Sequence, residues 1–160
     1  YGLRTVVARQ SCIYGYRQFG IEDQGWVAWF IIAAIKGRPI RIYGNGKQVR
    51  DVLFIDDLLE AYDAMVNGID VAAGQIYNIG GGPENTMSIW TEFGPQLERL
   101  LGRPIPVTHG DWRPGDQPVY ISDIRKAQSE LGWCPRVSVE EGVSRLFHWI
   151  DANQPLFAHL

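Results

Sequence analysis

Cysteine is scarce in this chain: Cys12 and Cys134 are the only two among 160 residues. So few thiols support no disulfide framework and suit a reducing compartment, so a cytoplasmic location is expected. Histidine is scarce as well. His109, His148 and His159 stand at no metal-ligand spacing, and no metal site is expected. Long hydrophobic runs are missing. The most apolar stretch, Trp26 to Ile35, is too short to cross a bilayer and reads as a buried helix, so no membrane contact is expected. Positive charge is not clustered: 15 Lys and Arg are scattered against 18 Asp and Glu, for a net charge of -3. That excludes a nucleic-acid binder driven by phosphate contacts, though not a few arginines aimed at one small phosphate ligand. There is no internal repeat, no low-complexity linker and no signal-peptide pattern. The chain opens on Tyr1 and runs at once into Thr5-Val6-Val7-Ala8, a strand met in mid-course, so further sequence is expected upstream.

What is present is the patterning of a globular α/β domain, 46% hydrophobic. Residues 4–8 carry a nearly continuous β-branched run and read as a buried strand, as in a parallel sheet covered on both faces. A glycine-containing loop from Cys12 to Gln24 follows, then a helix over 25–36 that stops at Gly37 with Pro39 beyond. Residues 40–43 and 48–55 read as two strands around the turn Gly44-Asn45-Gly46. Asp57 is placed to cap a helix, with Glu60 three residues on and Gly68 near its end. A strand at 75–79 closes in Gly80-Gly81-Gly82. Ser88 is expected to cap a helix that Gly94-Pro95 interrupts, and residues 105–108 form a short strand before a polar loop at 109–118. Ser122 or Asp123 caps a helix to Leu131, and Ser138 with Glu141 makes a capping box for a last helix to Ile150.

The candidate chemistry is thin. Tyr43 and Lys47 have the Tyr-x-x-x-Lys spacing that on a helix lets the lysine lower the tyrosine pKa, but the glycines between them make a turn and exclude that geometry. Gly80-Gly81-Gly82 lacks the Gly-x-Gly-x-x-Gly spacing of a dinucleotide loop and reads as a tight turn. Arg50 and Arg113 lie on loops and can grip a diphosphate bidentately, or simply form surface salt bridges; spacing alone favours the salt bridges. The tryptophans read as core residues, with Trp26 and Trp112 as candidates to line a pocket.

Longer motifs carry a resemblance. Arg9-x-x-x-x-Tyr14-Gly15 after a strand, Gly44-Asn45-Gly46-Lys47-Gln48-Val49-Arg50-Asp51-Val52 with Asp57, and Asn78-Ile79-Gly80-Gly81 occur in that order. Arg113-Pro114-Gly115-Asp116 follows, with Asp123, Lys126 and Leu131-Gly132-Trp133-x-Pro135. Together they are similar to the extended short-chain dehydrogenases/reductases of the NAD-dependent epimerase/dehydratase family. Within it, Ser11 to Phe19 and Asp23-Gln24-Gly25-Trp26-Val27 look most like the CDP-paratose 2-epimerases.

The resemblance implies the end of a Rossmann sheet (1–16 and 57–80) interleaved with a small α/β substrate lobe (22–55 and 86–160). It implies NAD as cofactor, with Ser11 and Cys12 flanking the nicotinamide and hexose. It implies a nucleotide-diphosphate sugar as ligand, held by Arg50 and Arg113 and contacted by Gln24, Gly25, Trp26, the 41–43 strand including Ile42 and Tyr43, Gln48 and Asp116. In such enzymes hydride leaves a sugar carbon for NAD and returns to the other face, and subunits commonly pair into homo-oligomers. This chain departs from the pattern at Cys12, where asparagine is common. It also lacks the glycine fingerprint and the catalytic Tyr-x-x-x-Lys, which in the family precede its first residue, so it is expected to be a carboxy-terminal piece that is inactive alone. A dehydratase or decarboxylase of the same family and a non-catalytic nucleotide-sugar-binding module remain open.

Overall fold

The computed structural model describes residues 1–159. The order of elements is β1 (Val7–Gln10), β2 (Cys12–Tyr14), α1 (Trp26–Ile35), β3 (Ile40–Tyr43), β4 (Val49–Phe54), α2 (Ile55–Asn67), α3 (Ile69–Ala72), β5 (Ile76–Ile79), β6 (Thr86–Ser88), α4 (Phe93–Leu101), β7 (Val107–Gly110), β8 (Val119–Tyr120), α5 (Arg125–Leu131) and α6 (Val139–Ala152). The class is α/β with largely parallel pairing, as the alternation of patterns implied. β1 pairs with β5, β2 with β4, β3 with β7 and β8 with β4, all parallel, and only β6 meets β4 antiparallel.

Pairing partners, more than local composition, set where strands begin. The first strand lies at 7–10 rather than 4–8, and the expected loop at Cys12 opens with β2. Ser11 is the point where the chain leaves one sheet for the next, its N–H still donating to Ile79 O at 3.0 Å. The segments on either side of Gly44–Gly46 do not pair with each other: β3 joins β7 and β4 joins β2, so the turn connects two sheets.

Helix ends follow the capping chemistry in part. Ser138 Oγ accepts from Glu141 N at 3.3 Å and starts α6 as expected. At α5 the N-cap position falls on Ile124 rather than on Ser122 or Asp123; Asp123, one residue before it, accepts from Arg125 N through Oδ1 at 3.1 Å, and Ser122 is buried. Ser88 Oγ accepts from Glu92 N at 2.8 Å, so the helix starts at Phe93, and Pro95 falls in its first turn, where a missing N–H does no harm. The expected break at Gly94-Pro95 is therefore a helix beginning. Asp57 is not a cap. α2 starts two residues earlier, and the buried Asp57 carboxylate accepts from Arg136 N and Val137 N, each at 3.0 Å.

Two hydrophobic clusters form. The first gathers α1, α6 and α4 around Tyr14, Phe54 and Phe93. α1 has seven buried residues of ten and is apolar all round, which is the composition of a helix enclosed on every side. Gly142 on α6 allows Tyr14 to enter, since a Cβ there would lie 2.1 Å from the Tyr14 hydroxyl. The second cluster joins Leu53, α2 and β5 to Ile124, Ala127 and Trp133, so α5 packs on the elements of residues 57–80. Leu59, Tyr62 and Val66 on α2, with Val7 and Ile76 on the β1–β5 sheet, remain exposed. Among the described residues no helix is long and apolar enough to cross a membrane.

Candidate functional site

β3 shows why one cleft forms. Its alternation sends Ile40 and Ile42 into the core and turns Arg41 and Tyr43 the other way. Ile42, expected at the ligand, is 1% exposed and belongs to the core; the residue sharing Tyr43's face is Arg41, which the resemblance had included with the 41–43 strand among the ligand contacts. The cleft in front of that face has a volume of about 390 Å³. It brings together Gln24, Gly25, Trp26, Arg41, Tyr43, Gln48, Arg50, Arg113 and Asp116, all expected there, and adds Glu22, Asp23, Phe30, Ile89, Pro114 and Gly115.

Each wall has a local cause. Ile21 and Gln24 exchange backbone hydrogen bonds of 2.9 and 3.0 Å, which makes a tight turn with Glu22 and Asp23 at its tip. Trp26 begins α1 and stands edge-on to Phe93 at 5.4 Å, its indole N–H donating to Cys12 Sγ at 3.1 Å. On the opposite wall Asp116 N donates to Arg113 O at 3.1 Å, with Pro114 and a positive-φ Gly115 between them, the residue choice of a tight turn. That turn presents both Arg113 and Asp116 to the cleft.

The charges are paired in an orderly way. Arg50 donates to Asp116 Oδ1 at 2.5 Å and to Val49 O at 2.8 Å. Gln48, 1% exposed, donates from Nε2 to Tyr43 O at 2.7 Å and to Asp116 Oδ2 at 3.1 Å. Both Asp116 oxygens are thus engaged, and its role in this structure is to hold Arg50 and Gln48. Gln48 Oε1 is buried with no hydrogen-bond partner, an acceptor left open beside the cleft. Arg113 lies over the Tyr43 ring at 4.0 Å and bonds Asp23 at 2.9 Å. The Tyr43 hydroxyl donates to Glu22 Oε1 at 2.8 Å. Lys47 takes no part: Gly44 and Gly46 have φ of 81° and 74°, so Tyr43 and Lys47 sit across a turn and are not stacked on one helix face. Trp112 lies against Gly44, outside the cleft lining.

Ser11 and Cys12 stand behind this cleft. The Ser11 hydroxyl donates to Asp51 Oδ1 at 2.5 Å, and Gly82 N donates to Asp51 Oδ2 at 3.1 Å. Asp51, fully buried within β4, holds to that strand the chain just beyond β1 and β5, with Gly80 at the junction: a Cβ there would lie 2.4 Å from Asp51 Oδ2 and 2.5 Å from Ser122 Oγ. Burial pushes the Cys12 thiol up to about 11, against the pull of the Trp26 N–H, so it is neutral near pH 7. The side-chain polar groups of Ser11 and Cys12 are therefore already engaged. The chain has no Gly-x-Gly-x-x-Gly loop. Among the described residues no three His, Cys, Asp or Glu side chains gather as for a metal.

Against known proteins, the profile of the NAD dependent epimerase/dehydratase family matches residues 1–80. A CDP-paratose 2-epimerase from Salmonella typhi is 38% identical over 157 residues, which cover 95% of this chain and 46% of that protein. A dTDP-glucose 4,6-dehydratase from Neisseria gonorrhoeae is 31% identical over 164 residues, covering 96% and 46%. Among solved structures, a UDP-glucose 4-epimerase from Thermotoga maritima in complex with UDP-glucose superposes with a TM-score of 0.83 at 30% identity, covering 96% of this chain and 48% of that one. The chain spans about half the length of the curated relatives it matches.

Proposed function

Because this chain belongs to the NAD dependent epimerase/dehydratase family, we propose that the cleft between the turns at 21–24 and 113–116 binds the nucleoside diphosphate of a nucleotide sugar. The observation that carries the reading is the convergence of Arg41, Arg50 and Arg113 on one cleft floored by Tyr43 and Trp26. Guanidinium groups suit diphosphate oxygens because their planar fork offers parallel charge-assisted N–H donors. The aromatic faces and the open acceptor Gln48 Oε1 suit a base or sugar bearing hydroxyl or amino donors.

For the whole protein we favour NAD-dependent epimerisation of a CDP-linked sugar, CDP-paratose to CDP-tyvelose. That rests on the resemblance of residues 11–27 and on the 38% identical relative. A 4,6-dehydratase of the same family is the second reading, since dehydratase relatives cover 96% of the chain at 31% identity. In either case the residues assigned here hold the diphosphate; hydride chemistry belongs to none of them.

Thermal stabilisation of the chain by CDP, UDP, dTDP and NAD in parallel tests the reading. Ligand at a hundredfold over Kd stabilises by about 2.7 kcal/mol, well within detection. CDP above UDP and dTDP, with no response to NAD, is expected. A larger response to dTDP would shift the reading to the dehydratase, and stabilisation by NAD alone would remove the cleft assignment.

A further inference from the structure

The two arginine–carboxylate pairs in the cleft are built differently. Arg50 and Asp116 are 15% and 22% exposed, and Asp116 is bonded again through Gln48. Arg113 and Asp23 are 37% and 82% exposed, and among the described residues Asp23 bonds nothing else. Exposed single-contact pairs are weak, whereas a half-buried carboxylate with both oxygens engaged is held in place. Asp23 also sits at the tip of the 21–24 turn, so a change of its rotamer breaks the ion pair with Arg113 and no backbone–backbone hydrogen bond, leaving Arg113 its 3.5 Å contact with Glu22 O and its place over Tyr43.

Resting on the diphosphate reading of the cleft, we propose that Asp23 is a built-in competitor: it occupies the anion's place on Arg113 and gives way when a diphosphate binds. A carboxylate and a phosphate oxygen need the same N–H donors of the guanidinium, so the two cannot occupy that edge together. Neighbouring carboxylates play other parts. Glu22 accepts from the Tyr43 hydroxyl and Asp116 stays on Arg50. The binding step is an exchange of one anion for another on Arg113, and Asp23 sets its threshold: a weak or singly charged anion does not displace it, whereas a diphosphate reaching both arginines does.

Calorimetric titration with CDP and with inorganic pyrophosphate tests this on wild type, Asp23→Asn, Glu22→Gln, Asp116→Asn, Arg113→Ala and the Asp23→Asn/Arg113→Ala double variant. Asp23→Asn is expected to tighten both ligands roughly two- to five-fold, the scale of an exposed ion pair. The gain should vanish in the Arg113→Ala background, be smaller in Glu22→Gln, and reverse in Asp116→Asn, which loosens Arg50. A gain that persists without Arg113, or an equal gain in Asp116→Asn, means a general charge effect and overturns the assignment, as does no gain in Asp23→Asn when wild type binds. If wild type binds too weakly to measure and Asp23→Asn binds, the assignment stands. If no variant binds either ligand, the cleft reading falls and the competitor with it.

Discussion

Replacing Asp57 with alanine tests how the chain is held together across its interleaved segments. The Asp57 carboxylate is 1% exposed and receives two backbone N–H groups, Arg136 and Val137, each at 3.0 Å, from nearly eighty residues away. Its carbonyl also accepts from the Trp133 indole at 2.9 Å, a contact alanine keeps. Alanine leaves two part-buried amides without an acceptor, and at about 1–3 kcal/mol for each such group, less what an entering water returns, the expected loss is about 3 kcal/mol. That is a large share of the ~5–15 kcal/mol typical of a domain, and for a chain of this size it lowers Tm by roughly 6–12 °C. Urea unfolding followed by tryptophan fluorescence should move the midpoint with the slope unchanged. Asp56→Ala is the control: it removes the same charge one residue away, from an exposed pair with Arg145 at 3.2 Å, and should barely move the midpoint. A loss below about 1 kcal/mol in Asp57→Ala would refute the claim that this carboxylate fastens the 133–137 segment to α2.

Gly142→Ala raises helix propensity in the first turn of α6, yet its Cβ would meet the Tyr14 hydroxyl at 2.1 Å. The expected outcome is a loss of about 1–3 kcal/mol, read by denaturation; a gain would mean Tyr14 is not packed there. The two thiols should differ in reactivity. With its pKa raised to about 11 by burial, Cys12 is protonated in all but about one molecule in a thousand at pH 8 and is shielded from reagent, whereas Cys134 is exposed to it. Iodoacetamide at pH 8 should label Cys134 at once and Cys12 only as pH approaches 11 or on unfolding, and mass spectrometry reads both. Equal labelling in the folded protein would refute the burial of Cys12.

The sequence by itself determined the class of the fold and most of its helix ends. An apolar run closed by glycine and proline made α1, and Ser138 with Glu141 made the start of α6, because both signals act within one turn of chain. It also named most residues of the cleft, since those lie in or beside short turns whose motifs are recognisable wherever they sit. Only the tertiary structure decided which groups face each other. That Asp57 serves amides at 136 and 137, that Asp116 engages Arg50, and that Asp23 occupies Arg113 are matters of through-space distance between segments far apart in sequence. Ile42 and Arg41 show the same division within one strand. Composition said that a strand was there, but which of its two faces turned to the cleft was settled by pairing with β7, because a shift of one residue would have exchanged them.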